Sequence, residues 1–426
     1  MSAGCQRASA ISFAPPEPSQ ITQSNVERVL ATLAADDMRG RQAFTNDAMR
    51  AAEYLAQEFA DAGVQALGGD YLQRFEVTTV APGPAQVTLD GVALGADQFV
   101  VRPGSSSAQW SNEQGGVVRV GPTNDVRQLM SDVRSATEDV LVLVPSDQRE
   151  LFETLARFLG RPVRSLDAGN GPSVALAIWD GAGDPSYEIE ASAVVTQEPL
   201  ANVVGVIPGL RADEYVLFSA HYDHIGIRPA VNGDSIGNGA NDDASGTTAV
   251  VELARYFAAR GTPERTLLFA AFTAEEAGGF GSRYYSSQLN PDQIVAMFNI
   301  EMIGKPAVEG PNTAWITGFE RSSFGVLLQE AVEGTPYTFY PDPYPQQNLF
   351  YRSDNATLAR LGVPAHSIST TPIDVDTDYH TVTDEVPTLD LEHMTNTIRA
   401  IAMGAERMVA GEATPTRVDP ATVTPR

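Results

Sequence analysis

Five stretches of this 426-residue chain place metal-ligating residue types where apolar runs end: His221-Tyr222-Asp223, Asn241-Asp242-Asp243, Glu275-Glu276, Glu301 and Tyr379-His380. Two divalent cations about 3.5–4 Å apart call for roughly two terminal ligands each and one bridging carboxylate, with positions left for water and substrate. His221, Glu276, Glu301 and His380 are candidates for the terminal ligands, and Asp242 for the bridge. Glu275, adjacent to a ligand but pointing elsewhere, is then free to act as general base on metal-bound water.

Taken singly, each stretch has a plainer explanation. A Glu-Glu pair is usually a solvated helix turn, and Asp-Asp-Ala-Ser-Gly is an ordinary loop and helix start whose side chains cap free amides. A His beside an apolar run is usually a hydrogen-bonded core residue. Position sets these apart. Val216-Leu217-Phe218, Leu267 to Phe272 and Met297 to Ile300 are short, near-continuous apolar runs, each followed at once by a candidate ligand. That pattern predicts strands buried on both faces of a mostly parallel central sheet flanked by helices, an α/β fold. Sites in open α/β sheets gather at the carboxyl ends of the strands. Apolar spacing predicts helices from about Asp47 to Ala62 and from Thr247 to Ala259, the second with its N-terminus toward the Asp242 loop.

At these residues the chain resembles the M28 zinc metallopeptidases, which include co-catalytic di-zinc aminopeptidases. The likeness covers approximately residues 200–410, with a weaker echo in 22–80. It is carried by Ser219-Ala220-His221-Tyr222-Asp223, by Gly239 to Gly246, by Ala274-Glu275-Glu276 with Gly281-Ser282, by Asn299 to Gly304 and by Tyr379-His380-Thr381; Arg352-Ser353-Asp354 and Gly362-Val363-Pro364 look like the stretch before the last ligand. The resemblance implies a zinc-peptidase/phosphorylase-like fold holding two Zn²⁺, with Mn²⁺ or Co²⁺ as alternatives. His221 and Glu301 would complete one metal site, Glu276 and His380 the other, and Asp242 would bridge them. It further implies a cis Asp242–Asp243 peptide, and an Asp223 carboxylate that fixes the tautomer of His221. One residue departs from the pattern: Glu301 stands where the best-known members carry Asp. Its longer side chain either chelates through both oxygens or shifts that metal. Tyr379 is either a hydrogen-bond donor to the tetrahedral oxyanion, worth about 3–4 kcal/mol when well placed, or a packing residue. His224, His366 and His393 match no ligand motif, so His224 is expected to line the cleft and the others to be structural.

Composition narrows the class. With 43 % hydrophobic residues the chain can bury a sizeable core, and no apolar stretch is long enough to cross a membrane. A net charge of −26 excludes the basic footprint of a nucleic-acid binder. Cys5 is the sole cysteine, so there is no intrachain disulfide and no thiolate metal site. Ala3-Gly4-Cys5 resembles the end of a lipoprotein signal whose hydrophobic segment is absent, so either Cys5 carries a lipid anchor or the tripeptide is fortuitous. The expected location is extracytoplasmic, either as a periplasmic or cell-envelope lipoprotein or as a secreted protein.

The expected organisation is a flexible tether over 1–20, a catalytic domain in two pieces, 21–80 and 198–411, an inserted apical or protease-associated-like domain over 81–197, and a flexible tail over 412–426. Pro82-Gly83-Pro84 marks the break into the insertion, where Asp139 to Pro145 reads as a strand and Leu151 to Leu159 as a helix. The insertion is either a lid restricting substrates to short peptides or a passive packing or dimerisation domain. The expected activity is removal of N-terminal residues from peptides. The alternatives are a carboxypeptidase or dipeptidase with Arg228 or Arg352 gripping a carboxylate, a glutaminyl-cyclase-like acyl transferase, which would not need His221, and a non-catalytic receptor-like protein.

Overall fold

The computed structural model describes residues 18–121, 129–131, 133, 136–167 and 171–424. Cys5 and most of the expected tether lie outside them. The chain divides into two compact units, one formed by the described residues up to Phe75 with those from Leu200 onward, the other by Glu76–Pro199.

The larger unit is a helix-flanked sheet. Its main strands are β1 (Tyr187–Ile207, of which the part from Leu200 belongs here), β2 (Arg211–His221), β3 (Arg265–Phe272), β4 (Ile294–Ile300), β5 (Thr313–Ile316), β6 (Thr338–Pro341) and β7 (Ala365–Ser369), in the spatial order β6-β5-β7-β4-β2-β3-β1. The centre is parallel: β2 runs parallel to β3 and β4, and β4 to β7. β1 joins β3 antiparallel, and β5 joins β7 antiparallel. The continuous apolar runs follow from burial on both faces. Val216 and Phe218 enter one core cluster, whereas Leu217, between them, enters the cluster on the opposite side. Phe218 stacks on Phe257, Phe269 and Phe298 at ring-centroid distances of 5.4, 5.4 and 4.9 Å. Truncating so buried an aromatic would cost about 3–5 kcal/mol.

The longer helices are α1 (Gln23–Leu33), α2 (Asn46–Asp61), α3 (Gly246–Ala258), α4 (Phe280–Ser287), α5 (Phe324–Ala331) and α6 (Leu391–Val409). In α2 the side chain of Thr45 caps the amide of Asp47, and Ala48, Ala51, Ala52, Leu55 and Phe59 turn inward at helical spacing. Its expected span differs from the observed one by a residue at each end. No helix among the described residues is long and apolar enough to cross a membrane.

Two expectations change. The strand Leu72–Leu89 runs through Pro82-Gly83-Pro84 rather than breaking there; proline removes a donor but keeps an extended φ, so it ends a helix more surely than a strand. Residues 412–424 are not a free tail. Val418 and Val423 are buried, Arg265 donates to the carbonyl of Ala413 at 2.6 Å, and Arg417 donates to that of Ile294 at 2.9 Å. Two apolar anchors and these backbone contacts outweigh a composition that reads as disordered.

The smaller unit contains a four-stranded sheet, Phe99–Arg102, Val174–Ile178, Val140–Val144 and Gly116–Arg119 in spatial order, with the helix Arg149–Leu159 contributing Phe152, Leu155 and Leu159 to its core.

Candidate metal centre

The registers of the central strands bring the candidate ligands to one edge. His221, the last residue of β2, pairs with Phe272 at the end of β3, so Glu275 and Glu276 emerge beside it. Ser219 pairs with Asn299 near the end of β4, and Glu301 emerges two residues later. Asp242 comes from the loop before α3. That loop lies close to β4, because a Cβ on Gly246 would stand 2.2 Å from the carbonyl oxygen of Ile300, a gap that only glycine fits. His380 comes from the irregular segment after β7. The Asp242–Asp243 peptide is cis.

All five expected ligands meet here. His221 Nε2 lies 3.3 Å from Asp242 Oδ1 and 3.3 Å from Glu301 Oε1. On the other side His380 Nε2 lies 3.1 Å from Asp242 Oδ2 and 3.1 Å from Glu276 Oε1. The two oxygens of Asp242 therefore face the two imidazoles separately.

The donor set fits metal ions. Ligands of a tetrahedral ion bound at about 2.0–2.1 Å stand roughly 3.3 Å apart, the spacing found on both sides of Asp242. His221 Nδ1 faces the backbone carbonyl of Asp223 at 3.0 Å and so carries the proton, which leaves Nε2 as a lone pair converging on two carboxylate oxygens. Three acceptors meeting in a buried pocket call for a cation between them. Without one, the imidazoles take up protons. Burial resists this at His380, but hydrogen bonds to Asp242 and Glu276 raise it to about 10. At His221 burial also resists, and the neighbouring Glu301 and Asp242 raise it well above the usual value.

Around these atoms the structure adds partners that spacing did not reveal. Asp384 accepts the amides of Asn241 and Asp242 at 2.8 and 3.0 Å, and burial pushes its carboxyl up to about 6. Ser353 donates to Glu301 Oε2 at 2.6 Å. His224, fully buried, presents Nδ1 to Glu276 Oε1 at 3.0 Å, so it holds a ligand rather than merely lining the cleft. Its place three residues after His221 was the available signal. A buried guanidinium, Arg41, donates to the carbonyls of Leu33, Tyr222, Asn238 and Gly239 and so ties together the loops that follow His221 and precede Asp242. Asp243 accepts the amides of Gly246 and Met302, each at 3.0 Å.

Asp223 differs from what the resemblance implies. The nearest approach of its carboxylate to His221 Nδ1 is 3.8 Å, and the imidazole is oriented by the Asp223 backbone carbonyl instead. The carboxylate accepts the amide of Glu275 at 3.0 Å. Burial pushes the Asp223 carboxyl up to about 7. Burial, followed by Asp354, Glu301 and Glu276, raises Glu275 well above the ordinary range, with His221 opposing. Tyr379 stacks on His380 at 4.0 Å between centroids, and its hydroxyl accepts from Arg352 at 3.2 Å.

Two cavities open on the cluster. One, of about 70 Å³, includes Met302, Trp315, Leu349 and Ile373 in its wall with Glu275 and Glu301. The other, of about 350 Å³, is shared by Glu275, Glu276, Arg352, Tyr379 and His380.

The chain is similar to known proteins. Residues 202–405 match the model for peptidase family M28. The leucine aminopeptidase 1 of Paracoccidioides brasiliensis (strain Pb03) is 25 % identical over 305 residues, covering 66 % of this chain and 76 % of that one. That of Ajellomyces capsulatus (strain H88) is 27 % identical over 354 residues, covering 73 % and 89 %. Among solved structures, BSAP, a zinc aminopeptidase from Bacillus subtilis, superposes with a TM-score of 0.55 at 15 % identity over 92 % of this chain and 97 % of that one. The family match takes in the ends of β2, β3 and β4, the Asp242 loop and His380, so it is across this centre that the chain is similar to peptidase family M28.

Proposed function

We propose that this protein, a metallo-aminopeptidase by family and relatives, removes N-terminal residues from peptides at a pair of zinc ions, with Asp242 as the bridging carboxylate and Glu275 as the general base. His221 and Glu301 would hold one ion, and Glu276 and His380 the other. The observation that carries this is the division of Asp242, with one oxygen 3.3 Å from the His221 imidazole and the other 3.1 Å from that of His380. When bound, zinc supplies Lewis acidity that polarises the scissile carbonyl and acidifies water.

The chain's own groups do the rest. Glu275 lines both cavities, and its backbone is fixed by Asp223. Its raised proton affinity suits it to take a proton from the attacking water and return it to the leaving amine. The acidic surroundings of Glu275, Glu276 and Glu301 favour a substrate that presents a free ammonium group. Met302, Trp315, Leu349 and Ile373 give the smaller cavity an apolar wall for the side chain being released. Tyr379, contacted by His380 and Arg352, lines both cavities, where its hydroxyl would meet the reacting carbonyl.

Arg352 favours a second reading, a dipeptidase. Its guanidinium lines both cavities and contacts Gln347 and Tyr379, with no carboxylate partner among the described residues. A mixture of free and N-acetylated peptides, incubated with zinc-loaded protein and with a chelator control, separates the readings by mass spectrometry. Chelator-sensitive ladders from free N-termini support the aminopeptidase. Cleavage confined to dipeptides favours the second reading, and loss of C-terminal residues rejects both.

A further inference from the structure

Lys305 is the only lysine in the chain. It stands four residues beyond Glu301, and its side chain is only 13 % exposed. Its ammonium donates to Asp376 and, at 2.8 Å, to Asp378 Oδ2. Both carboxylates belong to the segment that delivers Tyr379 and His380, a segment of turns and bends with no regular element to hold it.

The contact is built from both ends. On the lysine side, the Lys305 carbonyl accepts the hydroxyl of Thr370 at 2.6 Å, and the carbonyl of Gly304 accepts the amide of Asp390 at 2.9 Å. On the acidic side, Asp376 also accepts the amide of Asp378 at 3.0 Å, while the other oxygen of Asp378 accepts the hydroxyl of Thr383 at 2.6 Å. Each carboxylate is thus oriented toward the ammonium by a second bond.

His380 needs such help more than the other ligands do. Its side chain is 39 % exposed, against 2 % for His221, 3 % for Asp242, 14 % for Glu276 and 18 % for Glu301. Packing fixes those four, whereas His380 is only as well placed as its loop.

We propose that Lys305 is the positioning residue for His380: by clamping Asp376 and Asp378 it holds the loop where the imidazole meets Asp242 and Glu276. The metal position served by His380 and Glu276 then depends on a cation rooted four residues beyond Glu301, which serves the other position. This rests on the two-metal reading above. Removing the ammonium would leave two neighbouring carboxylates to repel each other and swing the loop outward. Arginine, which can donate to two carboxylates at once, would keep most of the clamp.

The test compares full-length wild type with Lys305→Met, Lys305→Arg and His380→Ala. Each is stripped of metal and titrated with zinc against a chromophoric chelator, and its thermal unfolding is recorded alongside. The expectation is that Lys305→Met weakens one of two sites about 10–100-fold, the effect usual for groups that orient a ligand. Lys305→Arg should recover most of it, with kcat falling more than KM wherever the site is weakened. If Lys305→Met folds and binds both ions as wild type does while His380→Ala loses one, the clamp is refuted and the two-metal reading stands. If His380→Ala also binds two ions as wild type does, the two-metal reading itself fails. Should Lys305→Met not fold, Asp378→Asn takes its place: a smaller loss at the same site supports the clamp, and unchanged binding overturns it.

Discussion

Ser353 divides the two oxygens of Glu301: its hydroxyl donates to Oε2 at 2.6 Å, while Oε1 lies 3.3 Å from the His221 imidazole. An oxygen committed to a short hydrogen bond is a poorer ligand, so the arrangement favours coordination through Oε1 alone. Of the two consequences expected from the longer Glu side chain, two-oxygen chelation is therefore disfavoured in this geometry. Ser353→Ala should weaken zinc at the His221 position by about 10-fold or more. Glu301→Asp, one methylene shorter, should lose the same hydrogen bond and weaken the site likewise. Chelator competition measures both, and unaltered affinity in both variants would mean that Ser353 has no part in holding the ligand.

Glu275→Gln should fold and keep its metal but lose about 10²–10⁴ in kcat, the range for a general base. Asp242→Ala should lose metal as well as activity, because one carboxylate faces both imidazoles. Metal analysis beside steady-state kinetics distinguishes the two, and substantial turnover by either variant contradicts its role.

Asp223 offers a sharper test, since its backbone and its carboxylate do different work. Asp223→Asn keeps an oxygen for the Glu275 amide and leaves the carbonyl on His221 untouched, so metal affinity should change little and kcat modestly. Asp223→Ala removes the acceptor and should lower kcat well beyond the Asn variant, with zinc still bound. Equal loss of metal in both variants would restore the carboxylate as the group that orients His221.

His366 sets a pH dependence of stability remote from catalysis. It is fully buried, with Nδ1–H donating to the Thr317 carbonyl at 2.8 Å and Nε2 accepting from Ser322 at 2.7 Å, and burial pushes it down to about 4 from 6.5. Between those values the unfolded chain binds a proton that the folded chain refuses, so stability rises with pH across that window. The contribution is complete above about pH 6.5 and falls away toward pH 4, by on the order of 3 kcal/mol in total. His366→Gln should be less stable at pH 8 yet lose less between pH 8 and pH 5 than wild type, as read from urea midpoints. An unchanged pH slope would assign the acid sensitivity to other groups.

Much of the site could be read along the chain because a parallel sheet writes its strands as apolar runs and puts its chemistry immediately after them. His221, the Glu275-Glu276 pair and Glu301 are legible for that reason, and Asp242 and His380 because their neighbours form recognisable strings. The roles of their partners were not legible. Asp384 lies 142 residues from the Asp242 amide that it caps, and Ser353 lies 52 residues from the Glu301 that it orients. Neither hydroxyls nor lone acids carry a spacing signal. The segment 412–424 misled for a related reason: composition describes the chain's own preferences and is silent about a groove that accepts Val418 and Val423.

The residue types that end each buried strand, and with them the fold class and the five expected ligands, can be read along the chain alone. Which oxygen faces which imidazole, that the Asp223 carbonyl rather than its carboxylate orients His221, and that Lys305 reaches Asp376 and Asp378 emerge with the folded chain. The difference is one of range. Periodicity and burial are local properties written residue by residue, whereas a hydrogen bond at 3 Å depends on register and loop closure across the whole sheet.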